Sequence, residues 1–193
     1  MPFALLSANT IPTGPSTLDI LTASNATSLM TVPSILEELY LLPDRIGCDA
    51  MKTLRFVAVG GAPMKQSVAK SLAQAGVPLL NHWGVTEVGP IAPIFVPDAD
   101  YDWRYLRVRD DFGLRFEQVV EEEEEDNDTS GLYRLVGCPP GTTEEFVVQD
   151  LLEVNPKNPT TEFRIAGRAD DLIVRPRGPL IILFHCGVGL PCI

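Results

Sequence analysis

The chain has 193 residues, 45% of them hydrophobic and 21% charged, with a formal net charge of −11. Such a length and balance suit a globular chain able to bury a sizeable core. The negative charge argues against nucleic acid or an anionic membrane surface as a partner, since both call for a basic face.

In chain order, residues 1–16 are rich in Pro, Thr and Ser and read as loop. Leu18–Ala23 reads as a short helix and Ser28–Val32 as a strand. Pro33 is well placed at a helix start, and Ile35, Leu36, Leu39 and Tyr40 give that helix an apolar face. Thr53–Val59 is an apolar, β-rich run that meets Gly60-Gly61-Ala62-Pro63. Lys65–Ala75 follows, with Val68, Leu72 and Ala75 on one helical face and Gly76 where a C-terminal cap falls. Val77–Leu80 is the next strand. This alternation predicts a largely parallel α/β sheet. Ligands of open α/β sheets bind beyond the carboxyl ends of the strands, where both glycine-containing turns fall.

After Pro90 the pattern changes. Tyr105–Arg109, Leu114–Val119 and Leu132–Val136 are β-rich, with turn signals at Asp111-Phe112-Gly113 and Ser130-Gly131 between them. Phe146–Leu152 and Phe163–Ile165 add strands, so an antiparallel meander or small distorted barrel is expected. Glu121–Glu125 with Asp126 and Asp128 form an acidic run that reads as a solvated loop. Three parts are expected: an α/β part at 1–97, a β-rich part at 98–174 and an atypical apolar tail at 175–193.

The segment Asn81-His82-Trp83-Gly84-Val85-Thr86-Glu87 carries the most chemistry. It combines an aromatic ring, a tight glycine turn at Gly84, a hydroxyl and a carboxylate, which is a kit for a nucleotide with its metal. The ring can stack on a base and Thr86 can bond a phosphate oxygen. Glu87 can hold Mg²⁺, a hard cation that prefers oxygen, and Gly84 lets the backbone come close to the ligand. The same residues also suit an ordinary turn, with Trp83 as a core side chain.

Four blocks in order extend the signal: Thr31-Val32-Pro33-Ser34, Gly60–Pro63, Asn81–Glu87, and Gln149-Asp150 followed by Gly167-Arg168-Ala169-Asp170-Asp171. The ordered set resembles the adenylate-forming enzymes, which include acyl-CoA synthetases, luciferases and the adenylation domains of peptide synthetases. The resemblance covers residues 10–174 and is strongest to the fungal adenylate-forming reductases. It implies part of the family's large N-terminal domain, an α/β layer followed by an antiparallel β-subdomain.

By that resemblance the ligands are ATP or AMP with Mg²⁺, and the substrate is a carboxylic acid. Trp83 would stack on adenine and Asn81 would bond its amino edge, with Gly61, Ala62 and Pro63 lining the other side. His82 and Gly84 belong to the same binding segment. Thr86 would touch the α-phosphate and Glu87 would bind Mg²⁺. Asp150 would accept from the ribose hydroxyls, Arg168 would contact ribose and phosphate, and Asp170 matches the family's hinge. The acid pocket would draw on Met30–Ser34, Gly60–Ala62, His82 and Val88–Ala92, whose apolar side chains suit an apolar or aromatic acid. Carrier and reductase domains are implied for full-length relatives.

The chain also departs from the family pattern. No Ser-, Thr- and Gly-rich loop ending near a Lys precedes Gly60, and the last lysine is Lys157. Both lysine-bearing phosphate elements are therefore expected to be missing, and the tail after Val174 reads as foreign to the fold. Cys48, Cys138, Cys186 and Cys192 show neither zinc spacing nor a secreted disulfide frame, no signal peptide opens the chain, and Leu180–Ile193 is too short to span a bilayer. A cytoplasmic location is expected. The leading expectation is a fragment of a carboxylate-adenylating domain with little activity alone. The alternatives are a non-catalytic module for a nucleotide or acyl adenylate, and a fragment that misfolds by itself.

Overall fold

The computed structural model describes residues 4–109, 111, 113–119, 131–138 and 141–169. The acidic run, Asp170, Asp171 and the tail from 175 lie outside the described residues. The chain divides into two compact units, Met1–Arg109 and Asp110–Ile193.

The first unit begins with helix α1 (Gly14–Ser24). The helix starts earlier than the sequence pattern suggested, because Thr13 and Ser16 close a capping box. The Ser16 amide donates to the Thr13 hydroxyl at 3.3 Å and the Thr13 amide to the Ser16 hydroxyl at 2.9 Å, which satisfies two helix-start donors. Strand β1 (Leu29–Thr31) leads into α2 (Pro33–Leu41), with Pro33 in the first turn as expected and Ile35, Leu36 and Leu39 buried. A 3₁₀ turn at Pro43–Arg45 precedes α3 (Ile46–Lys52), which buries Cys48 and Met51. No sequence period announced α3. Seven residues are too few to hold a helix by propensity, and tertiary packing of that buried face supplies its stability.

Strand β2 (Val57–Val59) is wholly buried and is followed by α4 (Gln66–Gln74), with Val68, Ala69 and Leu72 inward. Gly76 lies just past its end at φ +89°, the left-handed position predicted for a cap glycine. Strands β3 (Leu79–Asn81), β4 (Trp83–Val85), β5 (Gly89–Ala92) and β6 (Leu106–Arg107) follow. The sheet order is β1-β2-β3, all parallel, with Leu29 opposite Val57 and Val57 opposite Leu79. Burial on both faces explains why β2 reads as an unbroken apolar run. Its core joins Leu36, Leu39, Met51, Val57, Val59 and Leu72.

The second unit is an antiparallel sheet, as the alternation predicted. It contains β7 (Arg115–Gln118), β8 (Leu132–Gly137), β9 (Phe146–Val147), β10 (Asp150–Val154) and β11 (Glu162–Arg168). The order runs β11-β10-β8-β7, with β9 also on β8. Phe116 and Phe163 stack at 4.0 Å between ring centroids. Asn155 and Asn158 both donate to the buried Glu162 carboxylate, at 2.7 and 3.0 Å, and so satisfy a charge that would otherwise be costly to bury.

Candidate functional site

Three of the four sequence blocks leave the carboxyl ends of the three parallel strands. Thr31–Ser34 follows β1, Gly60–Pro63 follows β2, and Asn81–His82 closes β3. The strands stay paired past their ends. The Gly60 amide donates to the Thr31 carbonyl at 3.2 Å and the His82 amide to the Val59 carbonyl at 2.9 Å. Gly60 is needed there, because a Cβ on it would lie 2.8 Å from the His82 carbonyl oxygen and 3.2 Å from its ring Cδ2. Gly61 turns the chain at φ +84°, with Val32 the nearest side chain, 3.7 Å from where a Cβ would stand. The structure thus brings Val32, Gly60, Gly61 and His82 together. Ala62 and Pro63 are exposed on the same loop, and so are Met30 and Val32, 62% and 46% exposed.

The Asn81–Glu87 segment is not one loop. Asn81 ends β3, Trp83–Val85 forms β4, and Thr86–Val88 is the turn of a hairpin that returns along β5. The Val88 amide donates to the Val85 carbonyl at 3.2 Å, and Gly89 follows at φ +89°. That is the geometry of a short hairpin loop closed by a left-handed glycine. Thr86 and Glu87 stand exposed at its tip. The expectation of a tight turn at Gly84 is corrected. Gly84 lies within β4, and its missing side chain makes room for the opposite strand: a Cβ would sit 2.4 Å from the Gly89 carbonyl oxygen.

Asn81 and His82 are both held by backbone carbonyls. The Asn81 Nδ2 donates to the Trp103 carbonyl at 2.6 Å, and the His82 Nδ1 pairs with the Ala92 carbonyl at 2.8 Å. A carbonyl only accepts, so each contact fixes which side-chain atom bears hydrogen. Asn81 keeps Oδ1 as its acceptor and neutral His82 keeps Nε2. Sequence reasoning placed Val88–Ala92 near the site but missed Trp103, and it did not separate Gly89 as the hairpin glycine although the Gly89-Pro90 pair is a turn signal. Trp83 is buried, 8% exposed.

In the second unit, Asp150 and Arg168 are direct cross-strand partners at the end of the β10–β11 ladder. The register shifts between Leu151 and Leu152, a bulge that bends the strand beside Asp150. The Ala169 amide donates to the Gln149 carbonyl at 2.8 Å and prolongs the ladder. Asp170 lies outside the described residues.

Among the described residues no group of three or more His, Cys, Asp or Glu forms a metal cage. Glu87 stands exposed at the hairpin tip as a single carboxylate, and Mg²⁺ is an ion commonly held by one or two carboxylates together with substrate phosphates. A groove of about 520 Å³ lies elsewhere in the first unit, between the start of α4 and Asp102-Trp103-Arg104, and is lined also by Gln66, Ser67 and Lys70.

The family described as AMP-binding enzyme matches residues 3–111. An adenylate-forming reductase of Aspergillus terreus is 41% identical over 181 residues, covering 94% of this chain and 17% of that protein. The adenylate-forming reductase stbB of Stachybotrys bisbyi is 36% identical over 168 residues, covering 87% of this chain and 15% of that protein. The chain therefore spans about one sixth of the length of these relatives. Among solved structures, apo MatB from Rhodopseudomonas palustris superposes with a TM-score of 0.60 at 19% identity, covering 83% of this chain and 34% of that one. A malonyl-CoA ligase complex with methylmalonyl-CoA and AMP gives 0.58 at 18% identity, covering 83% and 37%. At such identities the structural likeness speaks for the fold alone.

Proposed function

The chain belongs to the AMP-binding enzyme family, and on that premise we propose that it is a segment of an ATP-dependent carboxylate-adenylating domain. The observation that supports this reading is the convergence of Thr31–Ser34, Gly60–Pro63 and Asn81–His82 at the carboxyl ends of β1, β2 and β3. That edge is where an open α/β sheet takes its ligand.

In the proposed reaction a carboxylate oxygen of the acid attacks the α-phosphorus of ATP. The new O–P bond forms as the bridge to the β-phosphate breaks, and pyrophosphate leaves. Such chemistry is mostly positioning and charge stabilisation. Asn81 Oδ1 accepts from the adenine amino group, Gly61, Ala62 and Pro63 flank the base, and Trp83 keeps its proposed place beside it. Thr86 donates to an α-phosphate oxygen and Glu87 is the carboxylate for Mg²⁺, which when bound supplies positive charge to the phosphates. By the family resemblance Asp150, paired across the ladder with Arg168, would accept from ribose hydroxyls, and Arg168 would offer its fork of donors to ribose and phosphate. Asp170 keeps its proposed hinge role.

Met30, Val32 and His82 border the acid, and the exposed apolar pair suits an apolar or aromatic acid. In the whole protein, carrier and reductase domains would receive the acyl adenylate, and the cytoplasm would supply the ATP. No helix among the described residues is long and apolar enough to cross a membrane.

Thermal unfolding with and without AMP and Mg²⁺ tests the reading. A ligand bound only by the native state stabilises it, by about 2.7 kcal/mol at a hundred times its dissociation constant. AMP should raise the midpoint, nearly as much as ATP does, and Asp150→Ala should shrink the rise. An AMP-blind transition would refute the reading.

A further inference from the structure

The amide of Asn81 can meet a purine in two ways, with its oxygen accepting or its NH₂ donating, and the two recognise opposite groups. Adenine carries an amino donor at its sixth position, whereas hypoxanthine carries an oxo acceptor there. A free amide would turn to suit either base. In this structure the amide is not free to turn, because one N–H of Nδ2 donates to the Trp103 carbonyl, 22 residues away in sequence, at 2.6 Å, and so fixes the side on which Oδ1 lies.

Trp103 is itself held from both sides. Its indole packs against the core of the first unit. Its backbone lies in a turn closed by the Tyr105 amide donating to the Asp102 carbonyl at 2.9 Å. The Asp102 carboxylate then spans the residue. It accepts from the Arg104 amide at 3.1 Å and from the Arg104 guanidinium Nε at 2.9 and 3.0 Å. Those hydrogen bonds raise the Arg104 pKa further above its already high value. Beside the turn, the Tyr101 hydroxyl donates to the Tyr105 carbonyl. Arg107 lies 4.6 Å from the Phe95 ring centre and 5.2 Å from that of Tyr101, and pairs with Asp98 at 2.9 Å. The stretch from Phe95 to Arg107 is thus stapled to itself, and the Trp103 carbonyl that holds Asn81 lies within it.

We infer that the Asp102–Tyr105 turn is a positioning element for base selection: by holding the Asn81 amide, it keeps Oδ1 toward the base and so favours a 6-amino over a 6-oxo purine. The inference rests on the nucleotide reading above. Asp102 touches no part of the proposed ligand, so it acts through Trp103 and Asn81.

The test measures AMP and IMP affinities of the full chain by calorimetry. The intact chain should prefer AMP by about tenfold, the scale of one hydrogen bond gained against one acceptor left facing an acceptor. Asp102→Ala should bring the ratio within about threefold, because a released amide can turn and donate to the oxo group. A merely structural loss would weaken both nucleotides alike and leave the ratio unmoved. In an Asn81→Ala background, Asp102→Ala should change the ratio no further, as a double-mutant cycle requires. Should Asp102→Ala fail to fold, Arg104→Ala loosens the same turn through an exposed side chain and is read identically. A folded variant that keeps the full AMP preference overturns the inference alone. An intact chain that binds neither nucleotide overturns the nucleotide reading and the inference with it.

Discussion

Gly84 and Gly89 meet across the β4–β5 hairpin for different physical reasons. A Cβ on Gly84 would stand 2.4 Å from the Gly89 carbonyl oxygen, a backbone atom that cannot swing aside. Gly89 has open space around it, but sits at φ +89°. Gly84→Ala must therefore push the strands apart, at a cost of about 2–4 kcal/mol. Gly89→Ala should cost about 1–2 kcal/mol for the left-handed backbone alone. Urea denaturation of both variants checks the order, and a larger loss at Gly89 would contradict the packing described. Because the hairpin carries Thr86 and Glu87, Gly84→Ala should also weaken AMP binding more than Gly89→Ala does. The glycine, hydroxyl and carboxylate were legible in the sequence as candidate site residues. Which of them makes the turn was not, since Gly84 and Gly89 are told apart only by what lies opposite.

Elements were read best where local signals agree. Helix α2 opens on Pro33 and α4 stops before Gly76, each at the residue whose backbone preference sets that boundary. Helix α1 was placed too late, because a stretch dense in Pro, Thr and Ser reads as loop until the Thr13 and Ser16 side chains are seen to pair. Thr13→Ala removes that box and should destabilise the first unit by about 1 kcal/mol. Hydrogen exchange should show the loss concentrated in the first turn of α1, and unchanged protection there would argue against the cap. In the second unit the alternation in β7 and β8 was legible, whereas the register placing Asp150 opposite Arg168 was not. A bulge shifts that register by one residue, and the bulge leaves no periodic mark in the sequence.

For the molecule as a whole, the parallel sheet raises a question of solubility. Among the described residues β1 pairs with β2 alone, and Met30 at its centre is 62% exposed. An edge strand with an apolar side chain is a template for pairing with another chain. Met30→Lys should reduce concentration-dependent association, read by sedimentation, with little change in the unfolding midpoint. Undiminished association would locate the sticky surface elsewhere.

The order of the four blocks, the alternation of helix and strand, and the change to antiparallel β-structure were fixed by the sequence itself. Each depends on residues within a turn or two of one another, through side-chain period, proline and glycine geometry, or capping. The tertiary structure alone decided how the side chains of the proposed site are oriented. The Asn81 amide takes its orientation from the Trp103 carbonyl and the His82 ring from the Ala92 carbonyl. Such contacts join residues distant along the chain through backbone groups that every residue possesses, so no residue type in the sequence announces them.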